Sequence, residues 1–72
     1  GRNEEAEVQL RTALTAEPES YELAYSLGLL LAEMEKWEEA EHYLAIAVSG
    51  MPDHPRAAYN LQQIREFLQN RK

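Results

Sequence analysis

The chain has 72 residues, a net charge of −6, 44% hydrophobic residues and no cysteine. It is therefore one small domain or a piece of a larger one, too apolar for disorder, and without thiolate nucleophiles, thiolate metal sites or disulfides. Ala, Glu, Lys, Leu and Arg make up more than half of it, with only three glycines and three prolines, a composition that favours helix.

The first apolar-periodic segment runs from Asn3 to Ala16. Asn3 is the expected N-cap, with Glu4 and Glu5 in the first turn, where the helix dipole favours negative charge. Ala6, Leu10, Ala13 and Leu14 share one face, and Val8 lies opposite. The second segment spans Ser20 to Met34 behind Pro18, with Ser20 as cap. Ala24, Leu27, Gly28 and Leu31 form its central face; Leu23, Leu30, Tyr25 and Leu29 make it apolar nearly all round, so several neighbours should pack on it.

The third segment spans Trp37 to Val48. Its expected core face is Trp37, Ala40, Tyr43, Leu44 and Ala47, with Glu38, Glu41, His42, Ala45 and Ser49 pointing away. Gly50 and Pro52 end it. The fourth runs from Pro55 to Gln69, with Asp53 or His54 as cap and one stripe of Ala57, Leu61, Ile64 and Leu68. Its back is mostly polar, as expected at the end of a stack. Only Glu35 and Lys36 join the second and third segments, which forces them antiparallel. No segment alternates with period two, so no strand is expected.

A shift of 34 superposes the sequence on itself. Ala6 meets Ala40, Leu10 meets Leu44, Ala13 meets Ala47 and Pro18 meets Pro52; Glu4-Glu5-Ala6-Glu7 meets Glu38-Glu39-Ala40-Glu41. Further on, Ala24, Tyr25 and Leu27 meet Ala58, Tyr59 and Leu61. A fixed helix-turn-helix period marks a solenoid. With Ala24-x2-Leu27-Gly28-x2-Leu31, then Ala40-x3-Leu44, then Pro52, the chain resembles the tetratricopeptide repeat family. It departs from that pattern at Ala24 and Ala58, where the family has tryptophan, and at Glu35, where a turn glycine is usual. Gln62 and Arg65 also replace the family's glycine and aromatic.

The resemblance implies an all-α fold of four antiparallel helices in a short right-handed solenoid. It divides into a half repeat at 3–20, a full repeat at 21–54 and a capping helix at 55–72, as expected of part of a larger protein. It also implies a protein-interaction module in which first helices line a groove for a protein or peptide. The groove positions are Glu22, Tyr25, Ser26, Leu29 and Glu33, then Arg56, Tyr59, Asn60 and Gln63. One subset of the family clamps a C-terminal carboxylate with Lys, Arg and Asn. Here Tyr25 and Leu29 occupy clamp positions and only Arg56 and Asn60 fit, so that specificity does not carry over. The acidic rim at Glu22 and Glu33 suits a basic or neutral peptide with an apolar anchor. The alternative is a structural spacer or homo-oligomerisation segment without ligand. Val8, Leu10 and Leu14 would then meet a neighbouring repeat or a second copy, a possible homo-oligomer of the isolated fragment.

Residues 12–55 carry eight Glu and Asp53 against Lys36 alone, whereas 56–72 carry Arg56, Arg65, Arg71 and Lys72 against Glu66. An acidic middle repels phosphate, so no nucleic acid is expected as partner. The longest apolar run, Leu27 to Ala32, is too short for a membrane span, and the start does not read as a signal peptide. A chain without cysteine fits every compartment, the cytoplasm slightly favoured. Glu39-x-x-His42 has the spacing of a di-iron ligand pair but occurs once, so neither a metal nor another cofactor is expected. His54 reads as a cap. No serine has a base and orienting acid beside it, glycines are too few for a phosphate loop, and no catalytic residue or enzyme activity is expected.

Overall fold

The computed structural model describes residues 1–71. Four helices follow one another: α1 (Arg2–Ala16), α2 (Tyr21–Glu33), α3 (Trp37–Gly50) and α4 (Pro55–Asn70). Among the described residues there is no strand, and no helix is long and apolar enough to cross a membrane. Each helix packs on the next and α2 also touches α4, while α1 and α4 do not pack on each other. The slab measures 34 × 31 × 15 Å.

The caps follow from side-chain chemistry. Ser20 Oγ accepts the Leu23 N–H at 3.3 Å, and His54 Nδ1 accepts the Ala57 N–H at 3.1 Å, with Pro55 opening α4. Each supplies a partner to an N–H that the helix itself leaves unpaired. Asn3 does not cap α1: the helix already begins at Arg2, and the Gly1 carbonyl accepts the Glu5 N–H at 3.2 Å.

The α2–α3 turn carries strain. The Glu35 N–H donates to the Ala32 carbonyl and the Lys36 N–H to the Leu31 carbonyl, the paired bonds of a Schellman ending. That ending needs a left-handed residue, and Glu35 adopts φ 61° without being glycine. A side chain there costs about 1 kcal/mol. α3 runs two residues past the expected end because Gly50 stays helical. Gly50 serves instead as a contact surface: a Cβ on it would stand 2.2 Å from the Tyr21 ring.

The core lies between α2, α3 and α4. Ala24, Leu27, Leu31, Ala40, Leu44, Ala47 and Ala57 are fully buried, and Leu61 and Ile64 nearly so. Gly28 is buried as well; a Cβ there would stand 2.8 Å from Leu44 Cγ and 3.2 Å from the Leu44 backbone nitrogen. The backbone of α2 thus lies directly on α3. On each helix of this trio the buried stripe follows the period read from the sequence.

α1 has no fully buried residue, and the expected core-face residues Trp37 and Tyr43 are half-buried, packed against the core. One expectation is corrected. Ala45, expected to face away, packs against the core. Phe67, absent from the expected stripe, lies with its ring centroid 4.6 Å from that of Trp37 and shields part of it.

Gly28→Ala gains about 1 kcal/mol of helix propensity but overpacks Leu44 by about 1–3 kcal/mol, so chemical denaturation should show a net loss. Gln62→Ala, in the same register of α4 but exposed, should be neutral within about 0.5 kcal/mol. Glu35→Gly should raise the melting temperature, relief of the left-handed conformation outweighing the added freedom of the unfolded chain by up to about 1 kcal/mol; Glu35→Val should lower it.

Candidate interaction surfaces

The nine groove positions lie on α2 and α4, which adjoin each other. Glu22, Ser26, Glu33, Arg56, Tyr59 and Gln63 are exposed; Tyr25, Leu29 and Asn60 are half-buried. The two tyrosines, equivalent by the 34-residue shift, stand in different surroundings. Tyr25 is engaged within the chain, its ring centroid 4.8 Å from that of His54. His54 therefore both caps α4 and ties its start to α2. Tyr59 is 61% exposed, and its ring has no aromatic partner among the described residues.

A groove of about 450 Å³ lies elsewhere. It is lined by Val48, Ala58, Leu61, Gln62, Arg65, Glu66 and Gln69. It runs along α4 beside Val48 of α3, and none of the nine expected positions lines it. Sequence reading did not single it out, although the polar substitutions Gln62 and Arg65 on that flank were its signal. Of the three expected end contacts, Val8 is 64% exposed, whereas Leu10 and Leu14 are half-buried against the core.

A polar strap crosses from α1 to α3. Arg11 Nε donates to Glu7 at 2.8 Å, its Nη2 to Glu39 at 2.6 Å and its Nη1 to the Tyr43 hydroxyl at 3.4 Å, with the guanidinium 5.8 Å from the Tyr43 ring centroid. Lys36 Nζ donates to the other oxygen of Glu7 at 3.0 Å. Hydrogen bonds from Lys36 and then Arg11 hold the Glu7 carboxyl below its ordinary value of 4.5. The bonds it donates to Glu39 and then Glu7 push the Arg11 guanidinium up. Arg71 does the same to Glu38 as Lys36 and Arg11 do to Glu7, and Arg65 Nε pairs with Glu41 at 3.1 Å. α3 is thus tied to α1 and to the end of α4 through the carboxylates on its first turns.

The two residues of the Glu39-x-x-His42 spacing have different partners. Glu39 accepts from Arg11, and His42 stands exposed and edge-on to the Tyr43 ring at 5.0 Å. Among the described residues no three His, Asp or Glu side chains gather as a metal site.

Because Glu7 and Glu38 have folded-state pKa values below 4.5, their contribution to stability is present above that value and is lost as pH falls through the folded values. Urea midpoints should therefore fall on acidification below about pH 4.5. The Glu7→Gln, Glu38→Gln double variant should have a lower midpoint at neutral pH and a flatter acid limb.

The sequence model of the family described as tetratricopeptide repeat matches residues 1–64, covering α1 to α3 and most of α4. No curated protein and no solved structure matches the chain.

Proposed function

The chain belongs to the tetratricopeptide repeat family, and from that premise we propose that it binds a basic or neutral peptide segment with an apolar anchor on the joined faces of α2 and α4. The family generally mediates protein–protein interaction and is typically non-catalytic. We read residues 3–20 as a half repeat, 21–54 as a full one and 55–72 as a capping helix, within a larger protein.

The observation that carries the reading is Tyr59. A tyrosine 61% exposed on a face that also carries Leu29 is an amphipathic anchor without an intramolecular ring partner. Its engaged counterpart Tyr25 shapes the floor by holding His54. Glu22 and Glu33, exposed on α2, favour a cationic ligand, while Arg56 and Asn60 would meet backbone carbonyls. The proposal does not include nucleic acid, because the acidic side chains face the same ligand.

Titration of the chain with basic and acidic versions of one peptide, followed by calorimetry, tests this. The basic version should bind more tightly, and Tyr59→Ala should weaken it about tenfold, the effect of losing roughly 1.4 kcal/mol. Equal binding of the two versions, or indifference to Tyr59→Ala, would instead favour the ligand-free reading, a spacer or oligomerisation segment.

A further inference from the structure

His54 joins three helices at one residue. Its backbone N–H donates at 3.0 Å to the carbonyl of Met51, the residue that ends α3. Its Nδ1 accepts the Ala57 N–H at 3.1 Å and so caps α4. Its ring centroid lies 4.8 Å from that of Tyr25 on α2, with the two planes tilted by 47°. The side chain is half-buried, and Ala57 is fully buried.

Helix caps are usually serine, threonine, aspartate or asparagine, whose oxygens accept without titrating near neutrality. Ser20 caps α2 in that way. A histidine cap differs, because the nitrogen that accepts is the one that takes up the proton. Neutral imidazole with its hydrogen on Nε2 has a free lone pair at Nδ1. Imidazolium carries a hydrogen on both nitrogens and accepts at neither. Protonation therefore sets two donors against each other at Ala57 and places a positive charge at the positive end of the α4 dipole. We propose that His54 is a pH-sensitive latch: neutral, it fastens the start of α4 to α2, and protonated, it releases the first turn of α4.

The surrounding groups leave that outcome in place. From α2 come the Tyr25 ring and, one turn earlier, the exposed Glu22. Beside His54 in the chain stand Asp53 and Arg56, both exposed and of opposite sign. The last residues of α3, Val48-Ser49-Gly50, hold nothing that titrates in this range. Among the described residues no carboxylate pairs with the imidazole. The face of Tyr25 attracts an imidazolium, but that contact is weaker than a lost cap and an adverse helix dipole together. The stability that the cap contributes is thus present while the ring is neutral and is lost as pH falls through the range in which imidazoles titrate. That range lies above the acid limb set by Glu7 and Glu38. Tyr25, Arg56, Tyr59 and Asn60 belong to the proposed peptide face, so the latch reaches that face, but it is read without a ligand and does not depend on peptide binding.

Urea midpoints measured in steps from about pH 8 to about pH 5.5 test it. The midpoint of the unaltered chain should fall over that span. Amide exchange at Ala57, corrected for the pH dependence of exchange itself, should show the first turn of α4 open about fivefold more often at the acid end. His54→Asn keeps an accepting side chain that does not titrate, so its midpoint should stay level. His42→Gln, which removes the exposed histidine, should keep the fall. Nitrogen NMR of the unaltered chain at the alkaline end should find His54 Nδ1 without a hydrogen. A level or rising midpoint in the unaltered chain, or a hydrogen on Nδ1, would overturn the proposal, and neither result requires a variant to fold. So would an equal fall in His54→Asn, or a level midpoint in His42→Gln.

Discussion

The contact of Gly28 with Leu44 sets the spacing on which the rest of the structure depends. With no side chain at Gly28, α2 can lie against the backbone of α3 at Leu44. Ala24, Ala40 and Ala47 extend the same small-residue seam, all of them fully buried. Closely packed helices need only a short connection, and the two-residue turn at Glu35 and Lys36 supplies it by placing a glutamate in left-handed backbone. The strain at Glu35 is thus a local cost of the close seam, tolerated because the turn satisfies the carbonyls at the end of α2. Once α2 and α3 are fixed, α1 packs on α2 and α4 packs mainly on α3.

Much of this was legible in the sequence because it is periodic or local. The α2 stripe, the caps Ser20 and His54, Pro55 at the start of α4 and the 34-residue shift all depend on residues within a turn of each other or on simple repetition. What escaped depends on residues far apart. The Arg11 strap joins positions 28 and 32 residues apart, to Glu39 and Tyr43, and no local pattern announces it. Phe67 lies off the apolar stripe of α4 and finds Trp37 only because the two helices cross there. Ala45 is inward-facing for the same reason: α4 covers a side of α3 that a single-stripe reading assigns to solvent. Asn3 failed as a cap because the helix had already begun at Arg2.

The candidate site was less legible than the fold. Its nine residues were placed on two helix faces by register, and the helices that carry them touch, but register cannot distinguish an engaged ring from a free one. Tyr25 and Tyr59 occupy equivalent positions, and only the three-dimensional structure separates them, since His54 reaches one and not the other. The groove along α4 needs Val48 of α3 beside it, a pairing that the register of one helix does not show.

A double-mutant cycle on Gly28→Ala and Leu44→Ala, read by urea unfolding, asks whether the Gly28–Leu44 contact sets the helix spacing. If the added methyl at position 28 is harmful because it strikes Leu44, trimming Leu44 should abolish that harm, and the two substitutions together should be less damaging than their sum. Strict additivity would show that Gly28 matters for some reason other than this contact, and the account of the fold given above would fail.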